Sequence, residues 1–154
     1  MSTGEKIASV VPADVKLTPA EADAIVEIAY VTIAADRKLD AAEVDAFRAV
    51  LERLRGATVD SGELDVVLDQ MYARVERVGE KLDEHLRALG AEMSPSAREL
   101  AYKVAYAMGI ADLDSSDEEF ELDLQLVDAL ELTSDRAEEL ADDVMRTLNP
   151  EEEN

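Results

Sequence analysis

Cysteine is absent from this 154-residue chain, which removes disulfides, thiolate zinc sites, iron–sulfur clusters and cysteine nucleophiles together. Histidine occurs once, as His85. Its setting, EKLDEHLRAL, reads as a helix surface, where a solvated imidazole is the ordinary outcome rather than a base or a metal ligand. Basic residues are scarce: 15 Lys and Arg face 37 Asp and Glu, for a net charge of −22. The imbalance grows along the chain, with 11 basic and 18 acidic residues up to residue 90 and 4 against 19 beyond it. So much negative charge opposes direct contact with nucleic acid or an anionic membrane. Cations, basic proteins and a salty cytoplasm suit it better. No apolar run approaches the roughly 20 residues that span a bilayer, and the opening MSTGEKIASVVPADVK lacks the basic-then-apolar layout of a secretion leader. The expectation is a soluble, cytoplasmic protein without membrane insertion.

No segment alternates apolar and polar residues in the way a half-buried strand requires; the apolar residues recur at helical spacing instead. The expected fold is all-α, one domain over residues 18–148 with about six helices, an N-terminal segment 1–17 too short to classify, and an acidic tail 149–154. A first helix starts at TPAEADAIVEIAYVTIAAD, with Thr18 as N-cap, Pro19 at the first helical position and Glu21 closing a capping box. From Ala24 to Ala35 only Glu27 and Thr32 are polar, and a helix apolar nearly all round belongs in the middle of a bundle. A second helix follows Asp40, with Val44, Phe47, Val50, Leu51 and Leu54 on its inner stripe. A third runs from about Leu64 to Leu89 and is stopped by Gly90.

The plan then restarts. SPSARELAYKVAYAMGIAD has Ser94 as N-cap, Pro95 next and a largely apolar run ending in Ala111 and Asp112. At a constant offset of 76 residues, Pro19, Ala29, Tyr30, Ala35, Asp36, Glu43 and Leu54 fall on Pro95, Ala105, Tyr106, Ala111, Asp112, Glu119 and Leu130. These identities mark a helix start, a helix middle and both sides of a corner, so two tandem repeats, about 18–54 and 94–130, joined by the long helix, are expected. The fifth helix follows Ser116 with Phe120, Leu124, Val127 and Leu130 inward, and the sixth begins near Thr133 or Ser134 with Leu140, Val144 and Leu148 inward. The two apolar helices should pack side by side, Ala29, Ala105 and Gly109 being small enough for close approach.

Each repeat turns its corner with Ala-Asp, six residues, then Glu: Asp36 to Glu43 and Asp112 to Glu119. The glutamates have a structural explanation, because Asp40 to Glu43 and Ser116 to Glu119 are both capping boxes. Asp36 and Asp112 are harder to place. A carboxylate at a helix C-terminus meets the negative end of the dipole at a cost of about 0.3–1 kcal/mol, so either amide hydrogen bonds or a bound cation must compensate it. Asp114 and Asp117 add to the second corner; Arg37 and Lys38 can satisfy acids of the first. The segment DLDSSDEEFELD fails as an EF-hand calcium loop, since Asp117 stands where glycine is needed and Asp123 where the last glutamate belongs. There is no Ser-His-Asp set, no phosphate loop and no helical Glu-x-x-His motif, and the expectation is a non-enzyme.

An Ala-Asp corner after an apolar helix, then an acid seven residues on, twice in an all-helical chain of this length, resembles the TerB family named from tellurite resistance. Its pattern is Ala-Asp-Gly, then an apolar residue and a Glu, in a bundle whose surface acids are thought to bind metal. The family's Asp falls on Asp36 and Asp112 and its Glu on Glu43 and Glu119, while Arg37 and Leu113 stand in place of Gly, and Ser115 replaces the apolar residue that Leu39 provides. The resemblance implies a non-enzymatic binding or scaffolding module of a stress-response or defence system. Its corner acids (Asp36, Asp40, Glu43, Asp112, Asp114 and Glu119) would take a divalent cation, Ca²⁺, Mg²⁺ or Mn²⁺, or a partner protein. Two other readings fit the composition: an acidic DNA mimic or decoy that occupies a basic nucleic-acid-binding protein, suggested by the charge in the last third, and a plain assembly protein with an acidic coat.

Overall fold

A computed structural model describes residues 7–12, 16–34, 41–111 and 124–148. They are helical with short joints, and no strand occurs among them. Six helices carry the architecture: α1 (Pro19–Ala34), α2 (Ala41–Arg55), α3 (Ser61–Val78), α4 (Leu82–Ala91), α5 (Pro95–Ala111) and α6 (Ser134–Leu148). Residues 124–129 are helical as well.

Three of the helix starts follow from local hydrogen bonding that the sequence announces. The Glu21 amide donates to Thr18 Oγ1 at 3.1 Å while the Thr18 amide donates to Glu21 Oε1 at 3.0 Å, a complete capping box. The Ala97 amide donates to Ser94 Oγ and the Arg136 amide to Thr133 Oγ1, so α5 and α6 begin where a hydroxyl can take an otherwise orphaned amide.

Burial then arranges these helices around α1. Every residue from Ala24 to Ile33 is buried, as a helix without a polar face requires. The hydroxyl of buried Thr32 donates to the Ile28 carbonyl one turn back at 2.9 Å, which satisfies it inside its own helix. The most extensive helix pair is α1 with α5; Ala29 and Ala105, both buried, keep their surfaces low. Against this pair pack α2, which buries Phe47, Val50 and Leu51, and α6, which buries Ala137, Leu140, Val144 and Leu148. The Phe47 ring meets Tyr30 edge-on with centroids 6.2 Å apart, a favoured aromatic geometry. Ile7, Val10 and Val11 also enter the core, and Arg53 Nε donates to the Val11 carbonyl at 2.9 Å. The described part of the first 17 residues is therefore packed.

Three expectations are corrected. The single long helix over about 64–89 is two helices: α3 starts at Ser61, capped by Asp60, and ends at Val78, and a 3₁₀ turn over Gly79–Lys81 leads to α4. Gly79 sits at φ 56°, ψ −122° with its amide on the Val75 carbonyl, a conformation that glycine enters far more cheaply than other residues. The inward stripe Val75, Val78, Leu82, Leu86 continues across the break, so periodicity conceals it. Gly90 does not stop the helix; it lies inside α4, where an added Cβ would come 2.5 Å from the Ala129 carbonyl oxygen. Its function is close approach. Leu130 is buried and Val127 half-buried against the core, as expected, but Leu124, also expected inward, is 55% exposed, and Leu126 and Ala129 are buried in addition, so the inward face differs from the expected one at Leu124.

Candidate functional site

Of the six corner acids, Glu43 is the one among the described residues. It lies in the first turn of α2 with its side chain buried. Asp36, Asp40, Asp112, Asp114 and Glu119 lie outside the described residues. Among the described residues, no three His, Asp or Glu side chains are grouped so as to hold a metal ion, and no helix is long and apolar enough to cross a membrane.

The structure does describe the two helices that lead to the corners, and it ties their beginnings together. Glu21 uses Oε1 for the Thr18 amide of its own helix and Oε2 for the Ser94 amide at the start of α5, at 2.8 Å. The carboxyl is held below its usual range, first by the Ser94 amide and then by the Thr18 amide, because both bonds favour the ionised form. One side chain thus caps two helices. Helix α5 has Ala97 where its own box glutamate would stand, and Glu21 supplies the missing acceptor from across the interface.

A second constellation is centred on Glu27, in the middle of α1 and only 2% exposed. An unpaired carboxylate at that depth would be costly. Two neighbours prevent this: Arg74 Nη1, from α3, lies 3.0 Å from Glu27 Oε1, and His85 Nε2, from α4, hydrogen-bonds Oε2. Arg74 also reaches Asp23 Oδ2, one turn earlier on α1, at 2.9 Å. Its guanidinium is pushed further toward the charged form, chiefly by the bond to Asp23 and then by Glu27, with desolvation opposing. The setting EKLDEHLRAL predicts a solvated imidazole at residue 85, but the His85 side chain is 28% exposed and turned onto a buried acid. A signal for it existed. Glu27 is the one charge in an otherwise apolar stretch and demands a partner, and Arg74 and His85 stand eleven residues apart, about three helical turns.

No protein-family model, curated protein or solved structure matches the chain.

Chemically, the Glu27 cluster is a tie rather than a reactive centre. Both carboxylate oxygens are engaged, and the cluster joins α1 to α3 and α4 on the two sides of the Gly79 break. The Glu21 cap does the same for α1 and α5. Both fix how the central helices point, and therefore where the segments that follow them begin.

Proposed function

We propose that the chain is a non-enzymatic, TerB-like binding or scaffolding module of a cytoplasmic stress-response or defence system, which takes a divalent cation or a partner protein through its two acidic corners. The observation that carries this reading is the Glu21 bridge. It starts α1 and α5 at one end of the bundle, and these helices, of 16 and 17 residues, pack more extensively on each other than any other pair. Two neighbouring helices of about 25 Å that begin together run side by side to Ala34 and Ala111, which supports a reading in which the two acidic corners that follow in the sequence act as a shared or paired site.

The duplication belongs to the same proposal. At the 76-residue offset, buried Ala24, Ile25, Val26, Ile28 and Ala29 correspond to buried Leu100, Ala101, Tyr102, Val104 and Ala105. The helices that follow end alike: Gly56 at φ 69° with the Ala57 amide on the Glu52 carbonyl, and Glu131 at φ 57° with the Leu132 amide on the Val127 carbonyl. Both are left-handed caps, within one residue of the same offset.

Calorimetric titration of chelator-stripped protein with Ca²⁺, Mg²⁺ and Mn²⁺, in the wild type and in Asp36→Asn/Asp112→Asn, tests the cation reading. Micromolar binding lost in the double variant is the expected outcome. Binding that survives the double substitution removes the corners as its site, and no binding in the wild type leaves the partner protein as the ligand to be sought.

A further inference from the structure

Between the N-terminal half of α1, the end of α2 and the middle of α3 lies a cleft of about 420 Å³, within the size range of small-ligand pockets. Its lining is mixed: the half-buried Leu17 and Leu54 and the buried Val26, Val67 and Met71 make up the apolar side, Thr18 and Gln70 add polar groups, and Asp23 and Arg55 are its charged members. The two charges are in different states. Asp23 holds Arg74 at 2.9 Å, whereas Arg55 makes no ion pair with any described residue.

The other half of the molecule shows what this fold can do at such a corner. There Arg98 of α5 spans to Glu131, Nη1 to Oε2 at 2.7 Å, with its Nε on the Gly90 carbonyl at 2.8 Å, and Tyr102 beside it is buried. Under the repeat correspondence proposed above, on which this comparison rests, Arg98 and Tyr102 become Ala22 and Val26. Both of those smaller residues line the cleft. The corner of α2 keeps a charged side chain, Arg55, but α1 offers it a methyl group instead of a partner.

We propose that this cleft binds a small apolar monocarboxylate, with its hydrocarbon body against Leu54, Val67 and Met71 and its carboxylate on Arg55. The ligand supplies the counter-charge that Ala22 cannot. A guanidinium is suited to this because its planar fork meets a carboxylate with two parallel hydrogen bonds. An ammonium ligand is disfavoured, since Asp23 already holds a cation. The net negative charge of the chain opposes an anion only at long range and is screened beyond about 8 Å at physiological salt, so the short-range pairing decides.

The test is a ¹H–¹⁵N NMR titration of the full chain with decanoate below its micelle concentration, with decan-1-ol and decylammonium as probes of the same length. Decanoate should shift the amides of Val26, Arg55 and Gln70 saturably, and each control should bind at least about tenfold more weakly, the order expected for a charge-assisted pair. Ala22→Glu, which gives Arg55 an internal partner, should abolish decanoate binding; Arg55→Gln, at an exposed position, should weaken it about tenfold. The proposal is overturned if decanoate gives no saturable shifts, if either control binds equally well, or if Arg55→Gln binds like the wild type. Loss of cation binding at the corners would leave these outcomes unchanged, so the two readings fail separately.

Discussion

Replacing Gly90 by alanine sets two physical effects of known size against each other. Glycine inside a helix costs about 0.8–1 kcal/mol relative to alanine, and Gly90 is the ninth of ten residues of α4, so on propensity alone the substitution should stabilise the protein by somewhat less than that. The contact with residue 129 points the other way. The new methyl would stand 2.5 Å from the Ala129 carbonyl oxygen and 3.3 Å from its carbon, nearly 1 Å inside normal contact. The obstacle is backbone, which cannot rotate away as a side chain can, and the two segments are held together nearby by the Arg87–Asp128 pair. Overpacking of this kind costs about 1–3 kcal/mol. The net expectation is a loss of about 1–2 kcal/mol, or roughly 3–6 °C in Tm for a chain of this size. Urea unfolding followed by circular dichroism at 222 nm measures it. Ala129→Gly should not rescue the variant, because it leaves the offending carbonyl in place. A Gly90→Ala protein as stable as the wild type, or more so, would refute the close-approach account of this residue.

The Glu27 cluster yields a graded series in the same assay. Glu27→Ala should cost about 2 kcal/mol, below the 3–5 kcal/mol of a fully buried pair because Arg74 and His85 are partly exposed and can be rehydrated. Asp23→Asn, at a side chain 54% exposed, should cost no more than about 1 kcal/mol, and equal losses in the two variants would contradict the assignment of Glu27 as the centre. Glu21 predicts a pH dependence. Its carboxyl is depressed in the folded state, so its contribution is full above the ordinary glutamate pKa of about 4.3 and disappears as pH falls through the lower folded value. The urea midpoint of the wild type should therefore drop more steeply below pH 5 than that of Glu21→Gln; parallel curves would dismiss the double cap.

The residues themselves show which features were legible in advance. Thr18, Ser94 and Thr133 announced helix starts because an N-cap is a contact between residues three apart, written in the sequence and settled locally. The apolar run from Ala24 likewise announced a central helix, since an element without a polar face has nowhere else to go. The acidic composition was equally visible. The break at Gly79 was not, because the hydrophobic stripe runs through it unchanged. Nor was the use of Gly90, which depends on a carbonyl 39 residues away.

By itself, then, the sequence determined the helical class, most helix starts, the position of α1 in the core and the places where acids gather. Tertiary structure alone decided that Glu21 serves the amides of two helices, that Glu27 draws in both Arg74 and His85, and that Arg55 lines a cleft between α1, α2 and α3. The division has one cause. Helical propensity and capping act within a few residues and leave a local pattern, whereas a buried carboxylate is satisfied by whichever donors packing brings to it, and that choice is made by the whole chain at once.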